Sequence, residues 1–291
     1  MPGSPYTDLD RPPLRATALR RALLVPGGLW TRLDLRAETG STNADAAAAA
    51  RAGEPEGLVV LAERQSAGRG RLGRVWTSPA RAGIIASVLL RPGEARAGAG
   101  WAPVPAGRYG WLGLLTGVAL VEAVSRVSEL DAALKWPNDL LVGGAKCAGV
   151  LAEAVPGGAG GAPAVVLGVG LNVTLRAEEL PPPAAGGLPA TSLRMAGAVA
   201  TDRDPLVRAI LRALASWYGR WRDANGDPAG SGLRSAYLEC CATVGQPVTA
   251  LLPAAPDLTG TAVGVDDDGR LLVRTAAGDQ AIAAADIRHL R

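Results

Sequence analysis

The chain has 291 residues, of which 48% are hydrophobic and 20% charged, a composition that can bury a substantial core and excludes disorder over most of the length. This length allows one large domain or one domain with a small companion. The 30 basic residues are nearly balanced by 27 acidic ones, for a net charge of +3. The single histidine, His289, is predicted to lie in a terminal tail, which argues against a Ser-His-Asp or Cys-His nucleophile system and a His/Cys metal site.

Two of the basic residues, Lys135 and Lys146, are lysines, and the others are arginines. The composition is biased towards arginine, alanine and glycine, a bias that removes lysine wherever a generic positive charge is enough. Unless they survive by chance, these two lysines are candidates for chemistry that a guanidinium cannot perform.

The sequence predicts a soluble, cytoplasmic protein. The longest apolar run, 111–121, contains glycines and a threonine and is predicted to be part of a packed helix, far short of the ~20 residues that span a bilayer. Aspartates and prolines precede any apolar stretch at the N-terminus, unlike a secretory signal. Cys147, Cys240 and Cys241 have neither CxxC spacing nor an even number, which points to a reducing compartment.

Hydrophobic periodicity predicts an α+β domain followed by a small β unit. Ser41 is expected to cap the second helix, and Gly143-Gly144 to turn a hairpin. In chain order the elements are a helix at 14–25, a strand at 31–37, a helix from 42 to about 52, strands at 58–63 and 84–90, a helix at 109–127, an apolar run at 134–142, strands at 146–154 and 165–173, a helix at 204–223, and strands at 247–252, 258–265, 271–275 and 280–284.

These elements predict three parts of the chain. Residues 1–32 form a lead-in with one short helix, too short for a winged DNA-binding domain. Residues 33–238 form the main α+β domain. Residues 239–291 form a small β-barrel, as short strands with tight turns indicate.

A glycine-rich loop at 68–73 matches the pattern GxGxxG, which is a weak signal by itself. A dinucleotide-binding fold needs a helix directly after this loop, but the next predicted element is the strand at 84–90. The lysine strand and catalytic motifs of a kinase are also missing. The segment is predicted to place Arg69, Arg71 and Arg74 over a bound anion. The alternative is a basic loop that is simply exposed to solvent.

The segment 135–139, with the sequence KWPND, is the most specific pattern in the chain. Lys135 closes a short apolar stretch beside a tryptophan, so its compact charge is expected to be desolvated and suited to a carboxylate or phosphate. Asn138 is suited to the polar edge of a nucleoside, and Asp139 to holding its neighbours or a metal-bound water. The alternative is a turn stabilised by Asn and Asp hydrogen bonds.

Small residues follow Lys146 on one strand and recur at 168–172 on the next. Such residues leave room for a ligand to lie against the backbone, although ordinary sheet packing explains each pattern equally well.

Taken together, these segments resemble the biotin protein ligase family (biotin–acetyl-CoA-carboxylase ligases), particularly its actinobacterial members without an N-terminal DNA-binding domain. The matching segments, in order, are 40–43, Gln65 with 68–74, 135–139 with 146–150, and 168–172. The resemblance covers nearly the whole chain from residue 33. It implies a mixed sheet with helices, related to class II aminoacyl-tRNA synthetases, followed by an SH3-like barrel.

The resemblance also implies the activity. The family makes biotinyl-5′-adenylate from biotin and ATP in the presence of Mg²⁺. It then transfers biotin to a lysine of the biotin carboxyl carrier domain of a carboxylase. The resemblance assigns no residue of this chain as a direct ligand of the metal. The implied catalytic residues are Lys135, Arg71 and Lys146. The implied biotin-binding residues are Ser41, Thr42, Asn43, Gln65, Gly68, Arg69, Gly70, Arg71, Lys135 and Gly149, and the implied ATP-binding residues are Arg69, Asn138, Lys146 and Asn172.

Two rival functions fit the sequence less well. A lipoate–protein ligase uses the same acyl-adenylate mechanism, but a dithiolane prefers apolar walls to the polar side chains at 41–43 and Gln65. A nucleic-acid-binding protein would explain the basic loop, but only 4% of the residues are aromatic and no basic stripe follows a helix.

Overall fold

The computed structural model of the chain describes residues 11–183, 187–252 and 256–290. The first ten residues of the predicted lead-in lie outside the described residues, as do 253–255 and Arg291 of the predicted C-terminal unit.

Within these ranges the chain forms five α-helices and twelve strands that make two sheets. The helices are α1 (Ala16–Leu23), α2 (Thr42–Arg51), α3 (Gly110–Ser128), α4 (Arg203–Asp223) and α5 (Leu233–Cys240). The strands are β1 (Arg32–Arg36), β2 (Leu58–Ala62), β3 (Gly83–Leu90), β4 (Ala132–Lys135), β5 (Asp139–Val142), β6 (Ala145–Val155), β7 (Ala164–Asn172), β8 (Pro247–Leu251), β9 (Leu258–Val265), β10 (Leu271–Thr275), β11 (Gly278–Ile282) and β12 (Asp286–His289).

The large sheet has the strand order β1-β2-β3-β7-β6-β5-β4, in which β1 and β2 are parallel and the other pairs antiparallel. Its central strands β2 and β3 are buried along their whole length, as expected for apolar strands covered on both faces. The alanines of α2 pack on one face, and α3 and α4 share the main core with the other. The expected α+β fold class, with a mixed sheet and helices, is confirmed.

The small sheet has the order β11-β10-β9-β8-β12 and is antiparallel throughout. Its position in the chain confirms the expected C-terminal β unit. The division at residues 32 and 238 stays a prediction.

Helix α3 is part of the core. In the described residues, 106–128 is the one helical stretch long and apolar enough to cross a membrane, counted by length and composition alone. Within its most apolar window, 61% is buried inside the protein, and α3 packs closely against α4. Its apolar character is therefore explained by packing.

The segment before β1 packs into the same core as the large sheet. Leu14 and Trp30 are buried, and the Trp30 indole N–H donates to a carbonyl of α4. A buried ion pair joins Arg203 to Glu63 at 2.6 Å, and the other Glu63 oxygen accepts the Leu14 N–H at 2.6 Å. The segment 11–30 is therefore attached to the core through Leu14, which binds Glu63, and through Trp30, which binds α4.

Several elements differ from the sequence prediction, and among them α1 is two residues shorter at each end than predicted. Helix α5 was not predicted, because its eight residues span little more than two helical turns, too few for a helical periodicity to stand out. Strand β11 begins two residues earlier than expected, and β12 was not predicted at all. The expectation that His289 lies in a tail is wrong, since it ends β12 and pairs with Val248 of β8. Strand β12 has one buried residue, Ile287, among polar neighbours, so it carries little alternation for a pattern to detect.

Candidate functional site

A cavity of about 290 Å³ lies between the large sheet, the loop at 65–77 and the small sheet. It brings together all but one of the predicted site residues, from five separated segments of the chain. These residues are Ser41, Thr42, Asn43, Gln65, Arg69, Gly70, Arg71, Lys135, Asn138, Lys146, Gly149 and Asn172. The exception is Gly68, which lines a neighbouring groove formed by the loop with Leu151 and Glu153.

The N-terminus of α2 forms one polar wall. Ser41 is in an extended conformation, and its hydroxyl accepts the Ala44 N–H at 3.4 Å, as expected of a helix cap. The Gln65 side-chain oxygen accepts hydrogen bonds from the Thr42 N–H at 2.7 Å and from the Thr42 hydroxyl at 3.0 Å. These bonds fix the orientation of the Gln65 amide at the cavity wall.

Asn43 is held from two sides within this wall. Its amide oxygen accepts the Ser87 hydroxyl at 2.6 Å, and its amide nitrogen donates to Glu153 at 2.6 Å. Asn43 is 6% exposed, so its hydrogen bonds are made largely within the protein. This arrangement shows how the polar wall is kept in place, and the predicted contact of Asn43 with biotin stays a prediction.

The glycine-rich loop folds back on itself over the cavity. The Gly70 N–H donates to the Arg74 carbonyl at 2.7 Å, and the Trp76 N–H donates to the Gly68 carbonyl at 3.0 Å. A side chain at position 68 would meet the Trp76 carbonyl oxygen at 2.3 Å, so this close turn requires glycine.

The arginines of the loop have different surroundings. Arg71 donates to the Asn138 side-chain oxygen at 3.4 Å, and burial is the main cause that lowers its pKa, opposed by Asp139. Arg74 forms an ion pair with Asp286 of β12. The counter-charge that offsets repulsion within the loop therefore comes partly from the small sheet.

Lys135 faces a group of cations at the end of β4. It pairs in register with Asp139 across the β4–β5 turn. Burial is the main cause that lowers the pKa of Lys135; Asp139 raises it, and Lys146, Arg74 and Arg71 lower it further. Asp139 forms its ion pair with Lys146 at 2.5 Å. Several cations thus share little negative charge, which makes the cavity suited to an anionic ligand.

Protein side chains take part of the space beside the small residues of β6 and β7, and Gly149, Gly168 and Gly170 also line the cavity, so the expected room for a ligand stays a prediction. A side chain at Gly170 would meet the Trp76 ring at 2.4 Å, and one at Gly149 would meet it at 3.3 Å. A side chain at Gly168 would meet the Asn43 oxygen at 2.1 Å. The glycines therefore admit Trp76 and Asn43 to the cavity floor, and Trp76 is a lining residue that sequence reasoning missed.

The far end of the cavity is held by a loop that follows β7. Asn172 is buried and its amide donates to the Thr191 carbonyl at 2.9 Å. The same loop pairs with Lys146, whose backbone N–H donates to Pro189 and whose carbonyl accepts the Thr191 N–H, both at 2.8 Å. Asn172 and Lys146 are therefore coupled through one backbone segment.

The small sheet supplies a wall that the sequence did not predict. Leu251 of β8 and Asp286, Ile287 and Arg288 of β12 line the cavity. These residues lie far along the chain from the motifs, and no local pattern marks them.

Comparison with known proteins agrees with this geometry. Residues 41–172 match the Biotin/lipoate A/B protein ligase family, and residues 243–290 match the Biotin protein ligase C terminal domain. A solved biotin protein ligase from Aquifex aeolicus, in complex with biotin and ATP, covers 90% of this chain and 100% of its own at a TM-score of 0.67 and 24% identity, which supports the fold.

Two curated relatives are similar along nearly their whole length. The biotin–[acetyl-CoA-carboxylase] ligase of Mycobacterium tuberculosis is 41% identical over 291 aligned positions, which cover 98% of this chain and 100% of the relative. The enzyme of the same name from Paracoccus denitrificans is 36% identical, over 86% of this chain and 98% of the relative. With this similarity and both matching regions, the chain belongs to the biotin protein ligases of the biotin/lipoate A/B protein ligase family.

Proposed function

We propose that this chain joins biotin to ATP, making biotinyl-5′-adenylate and diphosphate, and then transfers biotin to one lysine of a biotin carboxyl carrier domain in an acyl-CoA carboxylase. The observation that carries the proposal is the single cavity in which the loop arginines, Lys135 and Lys146 face a polar wall. Family membership supports the same activity.

The first step joins two anions. A biotin carboxylate oxygen forms a bond to the α-phosphorus of ATP, and the bond from that phosphorus to its bridging oxygen breaks, so that diphosphate leaves with the electron pair. Lys135, Arg71 and Lys146 offset the repulsion between carboxylate and phosphate and hold them in line. The partly buried positions of Lys135 and Arg71 strengthen their electrostatic effect, because less water screens them.

The second step needs no protein nucleophile. The neutral amine of the carrier lysine attacks the acyl carbonyl, an amide bond forms, AMP leaves with the electrons of the acyl–oxygen bond, and the amine releases one proton to water. We assign the biotin side of the cavity to Ser41, Thr42, Asn43, Gln65, Arg69, Gly70, Arg71, Lys135 and Gly149, and we assign Gly68 the turn of the loop rather than a place in the cavity. We assign the ATP side to Arg69, Asn138, Lys146 and Asn172.

Mg²⁺ would come to this site with the nucleotide. The described residues contain no group of three or more His, Cys, Asp or Glu side chains placed to hold a metal ion. The cavity carboxylates Asp139 and Asp286 are each paired with a basic side chain. These residues do not fit a protein-held metal site, whereas Mg²⁺ commonly keeps its waters and binds phosphate oxygens.

Cytoplasmic location and the carrier domain as partner belong to this proposal. ATP and acyl-CoA carboxylases are available there, and the three cysteines are free thiols. The proposal includes neither DNA nor a membrane as a partner.

Exchange of labelled diphosphate into ATP tests the proposal. With purified protein and Mg²⁺, we expect exchange when biotin is the added acid and none with lipoate, because the polar wall suits the ureido ring. Exchange with lipoate alone would replace biotin by lipoate as the substrate. No exchange with either acid from folded protein would overturn the adenylating function.

Replacing Arg71 by alanine should make the adenylate escape. Arg71 closes the loop side of the cavity against Asn138, and its loss leaves the loop without this contact. We expect biotinyl-adenylate to dissociate at least ten-fold faster and to label lysines of a bystander protein. Arg64→Ala, which removes an exposed arginine paired with Glu38, is the matched control. An unchanged adenylate lifetime in Arg71→Ala would contradict the assigned role.

A further inference from the structure

The end of β4, where Lys135 lies, depends on the C-terminal unit for its position. Strand β4 is the edge of the large sheet and has four residues, so one side has no strand to pair with. The segment between α5 and β8 takes that place. The Ala242 N–H donates to the Leu134 carbonyl at 2.8 Å, and Leu134 forms a parallel bridge with Cys241.

Trp136, directly after Lys135, is bonded twice to the same unit. Its backbone N–H donates to the Thr243 hydroxyl oxygen at 3.1 Å. Its indole N–H donates to the Gly269 carbonyl at 3.2 Å. Trp136 is 1% exposed, so losing either acceptor would leave a buried N–H unsatisfied.

Thr243 is in turn held by His289. The Thr243 hydroxyl and the His289 Nε2 lie 3.1 Å apart, and Thr243 is fully buried. When neutral His289 carries its proton on Nδ1, its Nε2 accepts a hydrogen bond from the Thr243 hydroxyl, and an oxygen lone pair of Thr243 remains for the Trp136 N–H. Burial, and then Lys135, lower the pKa of His289, so both favour this neutral form.

We propose that Thr243 and His289 are positioning residues for Lys135, acting through the Trp136 backbone. The inference rests on the proposed function and deepens it, because it gives the C-terminal unit a part in adenylate formation. Neither residue is among those that line the cavity. They hold the strand end from which Lys135 extends, and small displacements of a catalytic charge reduce rates strongly.

The test compares Thr243→Val with Thr243→Ser. Valine keeps the shape but removes the hydroxyl, and we expect kcat for biotin-dependent ATP–diphosphate exchange to fall roughly ten-fold or more with little change in KM. Serine restores the hydroxyl and should recover most of the rate. Thr249→Val is the matched control, because it removes an exposed threonine–threonine contact 3.2 Å long in the same small sheet.

A second pair of variants decides the outcome if Thr243→Val does not fold. His289→Leu should lower kcat several-fold, and His289→Gln should recover it, because the glutamine oxygen can accept the same hydrogen bond. Full kcat in folded Thr243→Val or His289→Leu, or an equal loss in Thr249→Val, would overturn the inference. The proposed function fails separately, if the unaltered chain shows no exchange.

The NMR signals of the lysine side chains report the surroundings of Lys135 independently of catalysis. The chain has two lysines, so lysine labelled with ¹³C gives two side-chain signals in an NMR spectrum, assigned with Lys135→Arg. We expect Thr243→Val to shift the Lys135 signal more than Thr249→Val does. Equal spectra in both variants would contradict the positioning role.

Discussion

Lys135→Ala should slow adenylate formation by about 10²- to 10³-fold while the protein stays folded. Lys135 combines burial, a strand-end position and neighbouring cations, so its ammonium is already in place when charge builds on the reacting carboxylate and phosphate. Alanine leaves no cation at this point, and water cannot replace it without reorganising. Diphosphate release in a single turnover, measured with saturating biotin and ATP, gives the size of the loss directly.

Arg64→Ala is the control for this change, since it removes an exposed arginine outside the cavity. A thermal unfolding curve for Lys135→Ala separates lost chemistry from lost structure. Diphosphate release at nearly the unaltered rate in a folded Lys135→Ala protein would show that the catalytic assignment of Lys135 is wrong.

Arg203→Ala should reduce the free energy of unfolding by about 3–5 kcal/mol, because it leaves the Glu63 carboxylate buried without its partner. Arg203 and Glu63 have side chains 5% and 9% exposed, and the guanidinium also donates to the carbonyls of Gly83 and Pro12. The substitution therefore removes contacts to the large sheet and to the chain before α1 at once. Urea unfolding, followed by far-UV circular dichroism, measures the loss.

The double variant Glu63→Gln with Arg203→Met separates charge from packing. It removes both charges together and should recover part of the lost stability. Arg64→Ala should reduce the free energy of unfolding much less than Arg203→Ala does, since the ion pair of Arg64 with Glu38 is exposed. If Arg203→Ala reduced the free energy of unfolding as little as Arg64→Ala does, the predicted stabilisation by the buried pair would be wrong.

Local motifs were sufficient to predict many of the residues that line the candidate cavity. Segment 135–139 has an unusual combination of a lysine, a tryptophan and a proline at a strand end, and the loop at 68–74 combines glycines with arginines. Their chemistry depends on residue types close together in the chain. Most of the large sheet was also predictable, because long apolar runs such as β3 and β7 are recognisable without knowledge of their partners.

The features that the sequence did not predict depend on contacts between residues that lie far apart in the chain. Trp76 lies between the glycine-rich loop and the strand at 84–90, where the sequence predicts no part of the site, whereas its ring fills the space above Gly149 and Gly170. A glycine shows that space is needed, but not which side chain takes it. Strand β12 forms by pairing with β8, some forty residues earlier, and its own sequence contains little hydrophobic alternation.

The wall formed by β12 also affects when the site becomes complete during synthesis. Every cavity-lining segment of the large sheet has been made by the end of β7, whereas Asp286 follows more than a hundred residues later. At the usual speed of translation this interval lasts on the order of ten seconds. A nascent chain thus carries both lysines and the arginine loop before the cavity has its last side. Assembly of β12 against β8 comes after all of these, so the cavity is complete only when the C-terminal unit has left the ribosome and folded.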